Sequence, residues 1–305
     1  MSVPTPDVTS ILDRVPGWNG RAHVVGTLEG GLTNRNVLVD VDGERFVVRI
    51  AGADTNLLGI DRRVERIANE RAAALGFAAE VVAFVEPECS LITRFVPGET
   101  LSPADVIQPR RLAQIGTALR TFHESGPLTG VFDCFRVPQL HREAARARGV
   151  SIPPEYEIAA MRAAEIEGAF DASPEPRRPC HNDLLAANFI GSGSGLVILD
   201  WEYAGMNDRY FDLGNLATNN ELDDDAQEAL LGHYFGSVTP RRRARLALMK
   251  IMSDFREAMW AVVQQGISSL GHDYVGYARK NFERLLANAS VPGYRRLLAE
   301  AAGEE

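Results

Sequence analysis

Two carboxylates and one amide in this chain stand at a spacing suited to phosphate chemistry. Asp183 and Asn188 lie in the segment HNDLLAAN, residues 181–188, and Asp200 follows directly after the apolar run LVIL at 196–199. Moving a phosphoryl group asks little covalent work of a protein and much positioning and charge neutralisation. One carboxylate must face the acceptor hydroxyl, and an amide with a second carboxylate must hold Mg²⁺ against nucleotide phosphates; Asp183, Asn188 and Asp200 together supply that set. The plainer alternative is that Asp183 caps a helix and Asn188 closes a turn.

A cradle for the phosphates has to come from elsewhere in the chain. In the run EGGLTN at 29–34, backbone amides around Gly31, Thr33 and Asn34 could cover phosphate oxygens, although Gly-Gly between strands also reads as a simple hairpin turn. Arg49 follows Val47 and Val48 at the end of a strand-like run, and a guanidinium there could grip phosphate oxygens in two places. Glu70, in the next helical stretch, is the expected partner for Arg49.

The elements that must position these groups are legible from hydrophobic period. Strands are predicted over 22–28, 36–41 and 45–50, with Asp42-Gly43 as a hairpin turn. Val64, Ile67, Ala68 and Leu75 recur at helical spacing over 62–76 and stop at Gly76; strands follow at 80–85 and 90–95. Pro97-Gly98 then breaks the pattern. Beyond it the chain turns helical, over 109–124, 155–170, 224–234, 240–265 and 274–286, with a short helix near the C-terminus. Two short strands, 188–190 and 196–199, flank the Gly-Ser run at 191–195. That run is followed by a strand rather than a helix, so it reads as a hairpin tip and not a dinucleotide fingerprint. The expectation is an α+β protein: a small N-terminal antiparallel-sheet lobe with one helix over 1–96, then a larger, mostly helical C-terminal lobe over 97–305.

Composition narrows the function classes. The net charge of -9 argues against nucleic acid as partner, since phosphate backbones want a basic face. Three separated cysteines (Cys89, Cys134, Cys180) make neither a disulfide framework nor a zinc knuckle and fit a reducing compartment. No membrane-length apolar run and no secretion signal are visible, so a cytoplasmic protein without membrane partners is expected. His123, His141, His233 and His272 show no ligand spacing.

These motifs also resemble a known family. HNDLLAAN followed by Asp200 resembles the catalytic loop of kinases. VVRIAG at 47–52, IDR at 60–62 and Asn69-Glu70 look like the small lobe of bacterial choline kinases. ILDWEYAG at 198–205, Asn207-Asp208 and FDLGN at 211–215 resemble their catalytic half, and the likeness runs on through Trp260 and Gln264 to Tyr274 and Tyr277. The chain is thus similar to the choline/ethanolamine kinase family, within the aminoglycoside phosphotransferase (protein-kinase-like) superfamily. The resemblance implies a bilobal protein-kinase-like fold, ATP and Mg²⁺ as cofactors, and a small-molecule amino alcohol as acceptor; oligomeric state stays open. Residue by residue, it makes Asp183 the base in a loop opened by His181, and Asn188 and Asp200 the metal ligands. Glu202 would lie beside metal or substrate. Arg49 and Glu70 would form the phosphate clamp, and Arg94, Phe95 and Val96 the adenine-binding hinge. Trp260 and Tyr277 would offer aromatic faces to an ammonium. Glu257 stands where a second tryptophan is often found, a change that would suit a primary ammonium such as ethanolamine. Asn182 replaces the arginine that reads a phosphorylated activation loop in many protein kinases, so no phosphorylation switch is expected. Two other readings remain: an aminoglycoside, thiamine or sugar kinase of the same fold, and a non-catalytic pseudokinase binding module.

Overall fold

The computed structural model describes residues 7–28, 34–52, 55–192, 195–268 and 271–303. Helix α1 (Val8–Leu12) and strands β1 (Ala22–Leu28), β2 (Asn34–Val41) and β3 (Glu44–Ala51) come first. The β2–β3 turn is Asp42-Gly43, both at positive φ (54° and 87°), the conformation a two-residue hairpin with matching twist requires. After helix α2 (Arg62–Ala74), strands β4 (Val81–Val85) and β5 (Ser90–Arg94) complete an antiparallel sheet of order β1-β2-β3-β5-β4. Period-2 alternation turns Val37, Val39, Val41, Phe46, Val48, Ile50 and Ile92 to one face. There they bury against Val8, Ile11 and Leu12 of α1 and against Trp18. Helix α1 carried no periodic signal, because five residues are too few to show one.

Helix α2 joins a different core. Its Ala68 and Ala72, with Leu58, Ile60 and Phe77, belong to the large apolar cluster of the helical half. The sheet ends at Arg94, close to the expected boundary, but the packing does not divide at 96: α2 straddles it.

The connection passes through Pro97-Gly98 to β6 (Glu99–Thr100), which pairs with the hairpin β8–β9 described below. Gly98 has φ +151, and a Cβ there would lie 2.5 Å from the Gly191 carbonyl oxygen, so the linker can cross the hairpin only as glycine. Helices α3 (Pro103–Val106), α4 (Pro109–His123), α5 (Val137–Ala147) and α6 (Glu155–Asp171) follow, then β7 (Arg178–Cys180), β8 (Phe189–Ser192), β9 (Gly195–Ile198) and β10 (Gly205–Asn207). β8 and β9 form the expected antiparallel hairpin, and β7 pairs with β10. The chain closes with α7 (Arg209–Asn219), α8 (Asp224–Phe235), α9 (Pro240–Ile267), α10 (Tyr274–Asn288) and α11 (Tyr294–Ala302).

Helix α9 is the pillar of this half, buried from Ser253 through Gln264 without interruption and packed on by α5, α7, α10 and α11. Helices α5 and α7 were not foreseen. Every residue of α7 from Tyr210 to Thr218 is buried, which erases the one-sided apolar stripe that marks a surface helix. Among the described residues, no helix is long and apolar enough to cross a membrane.

Candidate active site

The segment 181–188 leaves the end of β7, where Cys180 pairs with Gly205 of β10. Asn182 then adopts φ +69, a left-handed conformation that asparagine tolerates better than most side chains. Its Nδ2 donates to the Tyr203 carbonyl at 2.9 Å and its Oδ1 accepts from Asn207 Nδ2 at 2.8 Å. From below, α7 grips the backbone. Asp212, fully buried, accepts from the amides of His181 (2.8 Å) and Asn182 (2.7 Å), and Asn215 Oδ1 accepts from the Leu184 amide at 2.5 Å. Gly214 lets α7 press on α9, since a Cβ there would meet the Met249 backbone at 2.6 Å. His123 braces Asp212 through Nε2 at 3.0 Å and reaches the Tyr234 hydroxyl through Nδ1 at 2.6 Å. His123, Cys180 and Asp212 lie close enough to suggest a metal. The acid and imidazole are already bonded to each other, however, and burial pushes the Cys180 thiol far up, keeping it protonated.

His181, expected among the catalytic residues, ties the loop together through both ring nitrogens. Its Nε2 donates to the Leu199 carbonyl at 2.8 Å, and its Nδ1 accepts from the Asp183 amide at 3.2 Å. Burial lowers its pKa and keeps the ring neutral. Both nitrogens are therefore committed inside the loop.

Asn188 closes a short 3₁₀ turn and donates Nδ2 to the Asp183 carbonyl (2.8 Å) and to Asp183 Oδ2 (3.3 Å). This orients the amide so that Oδ1 has no partner among the described residues. The Leu199 amide donates to the Asn188 carbonyl at 2.8 Å, bringing Asp200 alongside, and Asp200 itself sits at φ +60. Its Oδ1 accepts from Arg49 Nη1 (2.6 Å) and Nη2 (3.0 Å), while Oδ2 has no partner among the described residues. One amide oxygen and one carboxylate oxygen are hard donors of the kind Mg²⁺ takes with phosphate oxygens and water, so the residues fit that ion. Asp183 is 8% exposed, and burial pushes its pKa up to about 7. Nearby Glu257, Asp200 and Glu202 push the same way, and the Arg256 guanidinium opposes them.

An ion network carries the sheet lobe onto this loop. Arg49 pairs with Asp200 at 2.6 Å and with Glu65 at 2.8 Å; Arg62 pairs with Glu65 at 2.8 Å and with Glu202 at 2.9 Å. Asn34 donates to Glu202 at 2.8 Å and accepts from Arg62 at 2.8 Å. Burial works against both guanidinium charges, and the surrounding carboxylates outweigh it, raising both pKa values. The clamp partner of Arg49 is thus Glu65, not Glu70. Five residues along a helix is a rotation of about 140°, which carries Glu70 to the solvent side, where it stands 3.6 Å from Arg66.

Other expected residues are placed less centrally. Gly31 and Thr33 lie outside the described residues. Arg94 is exposed, its guanidinium held by Glu80 and Glu44 over the Phe46 ring. The Arg94 and Phe95 amides donate to the Glu80 and Arg45 carbonyls, and the Val96 amide has no backbone partner among the described residues. Glu202 is tied to Asn34 and Arg62 through Oε2.

On the other side of Asp183 stand residues of α9 and α10. Trp260 Nε1 donates to the Tyr203 hydroxyl at 3.0 Å and its ring meets Tyr277 edge-on at 6.1 Å. Glu257 accepts from Arg256 through Oε1 and from the Tyr277 hydroxyl through Oε2 at 3.1 Å. Arg256, 2% exposed, stacks over Tyr203 at 4.3 Å and bonds Asp183 Oδ1 through Nη1 at 3.1 Å. Sequence reasoning missed Arg62, Glu65 and Arg256. A signal existed for the first two, since Arg62 and Glu65 stand at i,i+3 on one helix face.

Comparison with known proteins gives a consistent picture. The model of a family described as "Phosphotransferase enzyme family" matches residues 24–247. The protein LicA of Haemophilus influenzae is 27% identical over 265 residues, covering 83% of this chain and 76% of that protein. Ethanolamine kinase 2 of Homo sapiens is 28% identical over 299 residues, covering 88% of this chain and 77% of that one. The crystal structure of a choline/ethanolamine kinase family protein from Mesorhizobium loti superposes with a TM-score of 0.80 at 30% identity, covering 96% of this chain and 97% of that chain. The sheet lobe and helical lobe described above are the bilobal, kinase-like architecture that the motifs implied.

Proposed function

The chain belongs to the phosphotransferase enzyme family, and from that membership and the geometry around Asp183 we propose that it moves the γ-phosphoryl group of ATP to the hydroxyl of a small amino alcohol. The carrying observation is the convergence of Asp183, Asn188 and Asp200, with the Arg49 guanidinium 2.6 Å from Asp200. In this reading Asp183 accepts the acceptor's proton as its oxygen attacks phosphorus, and ADP departs. A carboxyl whose pKa lies near 7 is well matched to that task at neutral pH. Asn188 Oδ1 and Asp200 Oδ2 would hold Mg²⁺, whose charge offsets that of the phosphates. Arg49, braced by Glu65, is set to draw on phosphate oxygens from the sheet side. The Val96 amide, which has no backbone partner among the described residues, is the hinge group available to a nucleotide base.

The amino-alcohol assignment draws on Trp260, Tyr277 and Glu257 beside the base, and on the relatives described as ethanolamine or choline/ethanolamine kinases. ADP release, measured with ATP and Mg²⁺ against ethanolamine, choline, thiamine, sugars and aminoglycosides, tests it. Acceptor-dependent release with an amino alcohol is expected. Release only with a sugar, thiamine or an aminoglycoside would replace the acceptor class, and none with any acceptor would favour a binding module.

A further inference from the structure

We infer that Arg256 and Glu257 together choose the acceptor by its N–H groups, so that an amine carrying at least one N–H is taken and a quaternary ammonium is discriminated against. This rests on the amino-alcohol reading above. The two residues are neighbours on α9 and both are 2% exposed. A single Arg256 nitrogen, Nη1, bonds Asp183 Oδ1 at 3.1 Å and Glu257 Oε1 at 2.5 Å. The two carboxylate oxygens therefore stand no more than about 5.6 Å apart. A short amino alcohol can offer its hydroxyl to one and its ammonium to the other.

Three features make Glu257 a reader of N–H groups rather than a diffuse negative charge. Its second oxygen is fixed by the Tyr277 hydroxyl at 3.1 Å, so the carboxylate plane is set from both sides. Its charge is largely compensated by Arg256, which leaves lone-pair directions, more than net charge, to attract a ligand. The aromatic alternative is also reduced. One face of Tyr203 is covered by the Arg256 guanidinium at 4.3 Å, and Trp260 directs its N–H to the Tyr203 hydroxyl. A trimethylammonium group donates no ordinary hydrogen bond, so beside Glu257, whose two oxygens already accept from Arg256 and Tyr277, it cannot use the carboxylate's remaining lone pairs as an N–H would.

The test is a methyl series: kcat/KM for ethanolamine, N-methylethanolamine, N,N-dimethylethanolamine and choline. Acceptors with three, two and one N–H groups should fall within about threefold of each other, and choline should drop by about tenfold or more, the weight of one charge-assisted hydrogen bond. In Glu257→Leu, which removes both acceptor oxygens, the final step should shrink to under about threefold. That variant leaves Arg256 short of a partner, so R256M/E257L, which removes both charges together, is the second variant and should lose the step as well. A smooth trend through the series, or choline equal to N,N-dimethylethanolamine, overturns this inference and leaves the proposed function standing. Turnover of no amine in the series overturns both.

Discussion

Glu65 offers a sharp test of how the sheet lobe is held to the catalytic loop. Its carboxylate is 2% exposed and bridges two guanidinium groups, Arg49 and Arg62, each at 2.8 Å. Glu65→Gln keeps the shape and removes the charge, leaving two buried cations to share Asp200 and Glu202. Breaking a buried pair by removing one partner costs about 3–5 kcal/mol. For a protein of this size that corresponds to a fall in Tm of roughly 5–8 °C. Glu70→Gln is the internal control. Its partner Arg66 is 3.6 Å away and both are substantially exposed, so the loss should stay below about 0.5 kcal/mol and within experimental error of the wild-type Tm. Calorimetry on the two variants, with the KM for ATP measured beside it, reads both consequences. Glu65→Gln should melt early and bind ATP more weakly, and Glu70→Gln should do neither. Equal effects from the two, or a larger one from Glu70, would refute the assignment of Glu65 as the clamp.

Because burial holds Asp183 near a pKa of about 7 and the base must be ionised, kcat/KM should fall about tenfold per pH unit below pH 7 and level off above it; a profile flat down to pH 5 would contradict this. Asp200→Asn should weaken binding of Mn²⁺ in the presence of ATP, followed by electron paramagnetic resonance, while Asp212→Asn should leave it little changed in protein that remains folded. Chelation with EDTA should abolish turnover reversibly. Gly214→Val places side-chain atoms where the α7–α9 contact leaves 2.6 Å, and should lower stability by about 2 kcal/mol or more in urea unfolding. Phosphatase treatment should leave turnover unchanged, given that Asn182 is bonded internally to Tyr203 and Asn207.

Much of this molecule was legible in its sequence, for reasons that can be named. Strands β2 and β3 and helices α2, α4 and α10 follow the apolar period closely, because each has one dry face and one wet face, and α9 is a run long enough to speak for itself. Helix α7 was hidden by its burial on all sides, and with it the reason Asp212, Gly214 and Asn215 are needed. Charge pairing was the weakest inference. Glu70 is the acid that the helix after Arg49 and the family resemblance point to, but rotation about the helix axis puts Glu65 inward. Arg256 was invisible for a related cause: nothing in local spacing says that a charged residue in a buried helix will reach a loop 73 positions earlier.

The central claim is that Asp183 is the group that takes the acceptor's proton. Single-turnover transfer of the γ-phosphoryl group from ATP to ethanolamine, measured by rapid quench in wild type and in Asp183→Asn, addresses it directly. The account predicts a rate lower by about 10²–10⁴ in the variant, with nucleotide affinity within about threefold of wild type, since Asn188 and Asp200 are untouched. A variant that transfers phosphate at the wild-type rate would contradict it.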